Sequence, residues 1–149
     1  MSWTDLRKGR YSSANSEYFI TFNCHNKAAI FESHQLAHLF CQSIKTNEEK
    51  FNCIWLTWVL MPDHFHGLLH LGLNTSLSDV VGNLKGSTSR AINCVTRTRG
   101  KLWQTSFYDR CLRHEDDRKS IARYIVANPL RKGLVKQIGE YSYWNSVYL

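Results

Sequence analysis

The hydrophobic pattern of this chain switches several times between a period of two and a helical period. From Tyr18 to Cys24 apolar and polar positions alternate and β-formers dominate, which predicts a first strand. Leu36, Leu39, Phe40 and Ile44 return at helical spacing and predict a helix over about 33–49. A continuous apolar run from Cys53 to Met61 predicts a second strand, and Pro62-Asp63 turns it into a third, His64 to Leu71. Ser76 opens a Ser-x-x-Asp box. After it Leu77, Val80, Val81, Leu84, Ala91 and Ile92 predict a second helix to about Cys94. Thr105 to Leu112 reads as a fourth strand. Asp116 and Asp117 are N-cap candidates for a third helix that carries an Ile121/Ile125 ridge and that Pro129 stops at Asn128. The order βαββαβα predicts an α+β fold of ferredoxin-like βαββαβ type. Its four-stranded antiparallel sheet has the third strand interior, and the first two helices cover one face.

A chain of 149 residues that is 43% hydrophobic has room for one domain with a real core and is not a disordered chain. Residues 1–16 are polar and basic and read as an arm that orders on a partner, with a single domain over 17–149. The five cysteines form no Cys-x-x-Cys pair and leave an odd one over, so neither a zinc ribbon nor a disulfide framework fits. They read as small buried hydrophobes in a reducing compartment. With no apolar N-terminal stretch and no run of membrane-spanning length, the expected location is cytoplasmic.

The net charge of +7, from 19 basic against 12 acidic residues, favours a polyanionic partner. Its distribution sharpens that. Arg7, Lys8 and Arg10 cluster beside Tyr11, while Arg90, Arg97, Arg99 and Lys101 form a second group. Arg110, Arg113, Arg131, Lys132 and Lys136 surround the third helix in sequence. Basic residues interleaved with Tyr11, Trp103, Phe107 and Tyr108 suit a single-stranded nucleic acid, whose phosphates take the charge and whose bases stack.

Candidate chemistry lies at Met61-Pro62-Asp63-His64-Phe65-His66. In a strand His64 and His66 face one way and Phe65 the other, so two imidazoles on a rigid element can chelate a divalent cation. His70 continues that face and is read as a strand-end histidine, with ligand and supporting roles open. Tyr124 and Asn128, four apart, share one face of the third helix. By itself that pair is better explained as a core tyrosine with a helix-capping asparagine than as an active site. His114-Glu115-Asp116-Asp117 looks metal-like but is explained by capping and the helix dipole. A histidine-triad enzyme wants a histidine where Leu68 stands, and a two-histidine phosphodiesterase wants a second His-x-Ser/Thr element that this sequence lacks.

His64-Phe65-His66 resembles the His-hydrophobic-His signature of HUH single-strand endonucleases. With Tyr124 and Asn128 the chain resembles the single-tyrosine (Y1) IS200-like transposases, and among them the REP-associated tyrosine transposases. The likeness extends over Leu102 to Arg110 (a Trp-Gln block with an Asp109-Arg110 pair), Asn128 to Val135 (an Asn-Pro block) and an aromatic-serine block from Tyr141 to Ser146. Lys132 stands where the family usually has a small residue and Asn145 where it usually has serine; both are expected off the catalytic face.

The resemblance implies an HUH fold whose C-terminal helix brings Tyr124 toward the histidines. It implies a metal-dependent nickase and joinase of single-stranded or hairpin DNA, working through a 5′-phosphotyrosine on Tyr124. His64, His66 and Asn128 would hold Mg²⁺ or Mn²⁺. Arg7, Lys8, Arg10, Tyr11, Lys85, Arg90, Arg110, Arg131 and Lys132 are the expected DNA contacts, with Asp109 and Arg110 expected as a structural ion pair. The alternative is a sequence-specific DNA-binding protein of the same fold that has lost activity. Monomer and homodimer are both open.

Overall fold

In the computed structural model, which describes residues 15–149, the strand that carries both histidines is the middle of the sheet. The elements run β1 (Glu17–Asn23), α1 (His34–Phe51), β2 (Ile54–Met61), β3 (His64–His70), α2 (Leu77–Thr96), β4 (Tyr108–Cys111), α3 (Arg118–Val126), α4 (Asn128–Arg131) and β5 (Trp144–Ser146). All pairings are antiparallel, in the order β4-β1-β3-β2-β5. Register places His66 between Thr21 and Val59, and His64 between Asn23 and Met61.

Alternation divides the molecule at this sheet. Phe65 is fully buried on the face covered by α1 and α2, stacked on Phe22 with ring centroids 4.9 Å apart and packed against Phe40 and Trp55. On the other face Val59, Met61 and Leu68 form a smaller core with Ile125 of α3. The histidines share that second face, so burial of Phe65 on one side fixes the imidazoles on the other.

Local signals explain the helix starts. Ser33, Ser76 and Asp117 each accept a hydrogen bond from the backbone N–H three residues on, satisfying donors that an α-helix leaves orphaned at its N-terminus. Asn47, buried on α1, bonds to Val80 O, Asn83 Oδ1 and the Trp55 indole N–H, so a single amide ties α1 to α2 and β2. Among the described residues no helix is long and apolar enough to cross a membrane.

Several expectations need correction. The sheet has five strands, because Trp144–Ser146 inside the aromatic-serine block pairs with β2 and Ser146 Oγ meets Thr57 Oγ1 at 2.8 Å. Three residues are too few for a period-two pattern to register. The fourth strand covers Tyr108–Cys111 only. Upstream of it the chain keeps an isolated bridge, Trp103 to Cys24, and the Lys85 ammonium bonds the carbonyls of Gln104 and Ser106 at 2.6 and 3.1 Å. Pro129 does not end the helical segment. The helix breaks at Ala127, and Pro129 sits in the first turn of α4, where its missing N–H costs nothing. All five cysteines are free; Cys24 and Cys53 are buried as expected, but Cys94 and Cys111 are exposed.

Candidate active site

The two imidazoles meet edge to face with ring centroids 4.7 Å apart. His64 Nδ1 lies 2.6 Å from Asp63 Oδ1. An ionised carboxylate only accepts, so Asp63 holds the His64 proton on Nδ1 and leaves Nε2 as a lone-pair donor. His66 Nδ1 meets Thr21 Oγ1 at 2.8 Å, which orients its ring and leaves its other nitrogen unengaged among the described residues. Burial, then the neighbouring His64, Arg131 and Lys132, push the His66 pKa down to about 4. At neutral pH this imidazole is uncharged, the state a metal ligand needs.

His64 and His66 open into a cavity of about 470 Å³ whose walls also include Thr21, Asp63, Lys27 and Lys132. Asn128 does not line it. Its side chain is buried, and Nδ2 donates to the carbonyls of Ile125 (2.9 Å) and Tyr124 (3.5 Å). Those bonds are the capping role the sequence allowed, yet among the described residues nothing donates to Oδ1. No group of three or more His, Cys, Asp and Glu converges on a metal position among the described residues. Two preset imidazole nitrogens therefore face the cavity, and the unengaged amide oxygen of Asn128 lies outside its lining. Nitrogen and oxygen donors of this kind would suit Mg²⁺ or Mn²⁺ with open positions better than a closed structural zinc site.

Tyr124 is 57% exposed, and the Arg131 guanidinium lies over its ring, 4.1 Å from the centroid. It lines a separate cavity of about 310 Å³ with Phe19, Tyr108, Arg110, Ser120 and Ile121. Phe19 lies beside the histidine pair, its ring 5.9 Å from that of His66. Tyrosine and histidines thus share one side of the sheet in neighbouring cavities.

The expected DNA contacts divide. Arg7, Lys8, Arg10 and Tyr11 lie outside the described residues. Lys132 shares the histidine cavity, while Arg131 lies over the Tyr124 ring. Lys132 was expected off the catalytic face, and that expectation fails: α4 carries the chain back over β2, so Lys132 reaches the histidine cavity wall. Asn145 lies on β5 opposite Trp58, away from it. Arg110 pairs with Asp116 at 3.5 Å instead of Asp109, since adjacent strand residues point to opposite faces. Lys85 braces the segment before β4 and lies over the Phe22 ring, on the α2 side of the sheet. Arg90 is exposed on α2. His70 ends β3, its Nδ1 4.0 Å from Glu17 Oε1. Thr21, Asp63 and Lys27 were not singled out in the sequence. Asp63 read as a turn residue, and Thr21 gains meaning only once β1 is registered against β3.

The family model of IS200-like transposases matches residues 12–128. The REP-associated tyrosine transposase of Escherichia coli (strain K12) is 25% identical over 135 residues, covering 90% of this chain and 78% of that protein. Among solved structures, a REP-associated tyrosine transposase bound to a REP hairpin has the same fold with a TM-score of 0.78. It is 22% identical, and the match covers 91% of this chain and 79% of that one. A protein from Deinococcus radiodurans R1 reaches a TM-score of 0.57 at 21% identity, over 78% of this chain and 93% of its own.

Proposed function

Because this chain belongs to the IS200-like transposase family, we propose that it cleaves and rejoins single-stranded DNA carrying a hairpin, through a covalent link to Tyr124. The observation that carries this reading is the preset histidine pair, whose Nδ1 atoms are committed to Asp63 and Thr21, on the same sheet face as an exposed tyrosine. Hairpin DNA as the substrate rests on the relatives, one of which was solved with a REP hairpin. The charge of +7 agrees with a polyanionic substrate.

In this mechanism the scissile phosphodiester enters the cavity between His64, His66 and Lys132. His64, His66 and the Oδ1 of Asn128 would hold Mg²⁺ or Mn²⁺, which when bound supplies Lewis-acid polarisation of a non-bridging phosphate oxygen. Tyr124 Oη attacks phosphorus; the O–P bond forms as the P–O3′ bond breaks, leaving a 5′-phosphotyrosine and a free 3′-hydroxyl. One phosphodiester replaces another, so the bond energy is kept for a later 3′-hydroxyl to rejoin strands. Arg131, stacked on the Tyr124 ring, orients the nucleophile and lies ready for an adjoining phosphate.

The test is incubation with a REP-type hairpin oligonucleotide bearing single-stranded flanks and Mn²⁺, followed by a denaturing gel. A protein–DNA adduct that EDTA prevents is expected. Tight hairpin binding without adduct or nicking under any divalent ion would replace this reading with that of a DNA-binding protein that has lost its chemistry.

A further inference from the structure

Trp103-Gln104 has no part in the mechanism above, yet the fold holds this pair firmly. Trp103 is buried on the helix-covered face, its ring edge-on to Phe22 with centroids 4.8 Å apart and its indole N–H donating to Thr88 Oγ1 at 3.0 Å. Gln104 turns its side chain the other way, onto the histidine face, where its Oε1 accepts from Asn23 Nδ2 at 3.4 Å. Its backbone is fixed at both ends: the N–H donates to Asn23 O at 2.9 Å and the carbonyl accepts from the Lys85 ammonium at 2.6 Å. Asn23 is the cross-strand partner of His64, so the two amides stand one strand away from the histidines. They line a cavity of about 230 Å³ with Thr21, Ser106, Phe107 and Tyr108. Thr21 and Asn23 also line the histidine cavity, and Tyr108 also lines the Tyr124 cavity. The three cavities therefore adjoin.

The bond between the two amides leaves Asn23 Oδ1 as an acceptor and Gln104 Nε2 as a donor, and neither has a partner among the described residues. With both amides turned over, one oxygen and one NH₂ would still be left. No charged side chain lines this cavity, and Phe107 and the exposed Tyr108 give it aromatic walls. An uncharged donor and acceptor beside aromatic rings suit a nucleobase, not a phosphate. Asn and Gln amides pair most often with N6 and N7 of adenine, whereas guanine is read mainly by Arg or Lys, which this lining lacks. We propose that Asn23 and Gln104 set sequence specificity by reading an adenine next to the scissile phosphate, with Tyr108 as its stacking surface. A phosphate at the histidines leaves the adjoining base to be placed about one strand spacing away, roughly 5 Å, where the amides stand. This assignment rests on the reading of the protein as an enzyme that cleaves hairpin-bearing DNA.

The experiment gives the full-length protein Mn²⁺ and a REP-type hairpin oligonucleotide with randomised single-stranded flanks. Both products are sequenced, the strand attached to protein and the released 3′-hydroxyl strand. The wild type should enrich adenine about tenfold or more at one of the two positions flanking the cut. Asn23→Ala and Gln104→Ala should each bring that position close to random and leave other enriched positions as they were. Gln104→Glu keeps the shape, removes the donor and should lose the adenine preference as well. In the wild type, 7-deaza-adenine at that position, which lacks N7, should slow cleavage about tenfold. Gln42→Ala, exposed on α1, should change none of these results. Amides with only a structural role would lower cleavage of every sequence alike. That outcome, a preference for another base or for none, or an unslowed 7-deaza substrate overturns the inference and leaves the cleavage function standing. So does an adenine preference that persists in all three variants. Absence of any cleavage or adduct by the wild type overturns the function itself, and the base assignment with it.

Discussion

Thr21→Val keeps the shape of the side chain and removes the hydroxyl that meets His66 Nδ1 at 2.8 Å. Loss of such a supporting contact costs roughly 10–100-fold in metal affinity or activity. The Mn²⁺ concentration for half-maximal cleavage should rise in that range, while Thr21→Ser stays near wild type. Asn128 is a sharper case. Its Nδ2 donates to two carbonyls, so Asn128→Asp would set a carboxylate against the oxygens of Ile125 and Tyr124. Both Asp and Ala should therefore lower stability, by about 1–3 kcal/mol each, and both should raise the metal requirement. A melting temperature that falls while the metal requirement stays fixed would leave only the capping role.

Protonation gives a third test at this scale. His66, buried beside His64, Arg131 and Lys132, has its pKa lowered from 6.5 to about 4. In that interval the unfolded chain binds more protons than the folded one, so stability is fully present above pH 6.5 and falls as the pH drops toward 4. The loss, at most about 3 kcal/mol from this group, levels off below pH 4. Thermal melts of the metal-free protein should show it, and His66→Asn should flatten the slope between those limits.

At the scale of elements, the central strand is the most constrained part of the fold. A Cβ added at Gly67 would come within 2.7 Å of the Trp55 ring and 2.9 Å of Phe65. Gly67→Ala should cost about 1–3 kcal/mol by overpacking and disturb the neighbouring histidines, measured by denaturant unfolding and by cleavage rate. This strand was legible in the sequence because Phe65 between two histidines sets the alternation without help from other elements. Both main helices were legible through their long apolar ridges, with the Ser76 box marking the start of the second; the Ser33 cap of the first emerged only in the structure. What escaped was decided by partners distant in sequence. β5 exists because Trp144–Ser146 finds the free edge of β2, and Tyr141 Oη donates to Leu60 O at 2.6 Å. The break at Ala127 turned Pro129 from a stop into a start and carried Lys132 to the cavity.

Across the whole molecule, the sheet separates the side covered by the two long helices from the side that carries the candidate site. Phe65, Trp55 and the two long helices hold the first; the histidines, Tyr124 and α4 occupy the second. His64, His66, Tyr124 and Asn128 became candidates through the family resemblance, because their spacings alone fit an ordinary strand and a capped helix end as well. Thr21, Asp63 and Lys27 did not, since an ordinary threonine, turn aspartate and loop lysine gain a role only from cross-strand register. With +7 net charge, DNA affinity should fall steeply with added salt. Lys132→Ala should make the logarithmic slope shallower by about 0.7–0.9 if it holds one phosphate. The central claim is a covalent bond from one residue to DNA. After reaction with hairpin DNA and Mn²⁺, nuclease and protease digestion followed by mass spectrometry should find a 5′-phosphonucleotide on the peptide that contains Tyr124, and none in Tyr124→Phe. Adduct on another peptide, such as the one with Tyr108, or cleavage that persists in Tyr124→Phe, would contradict the account.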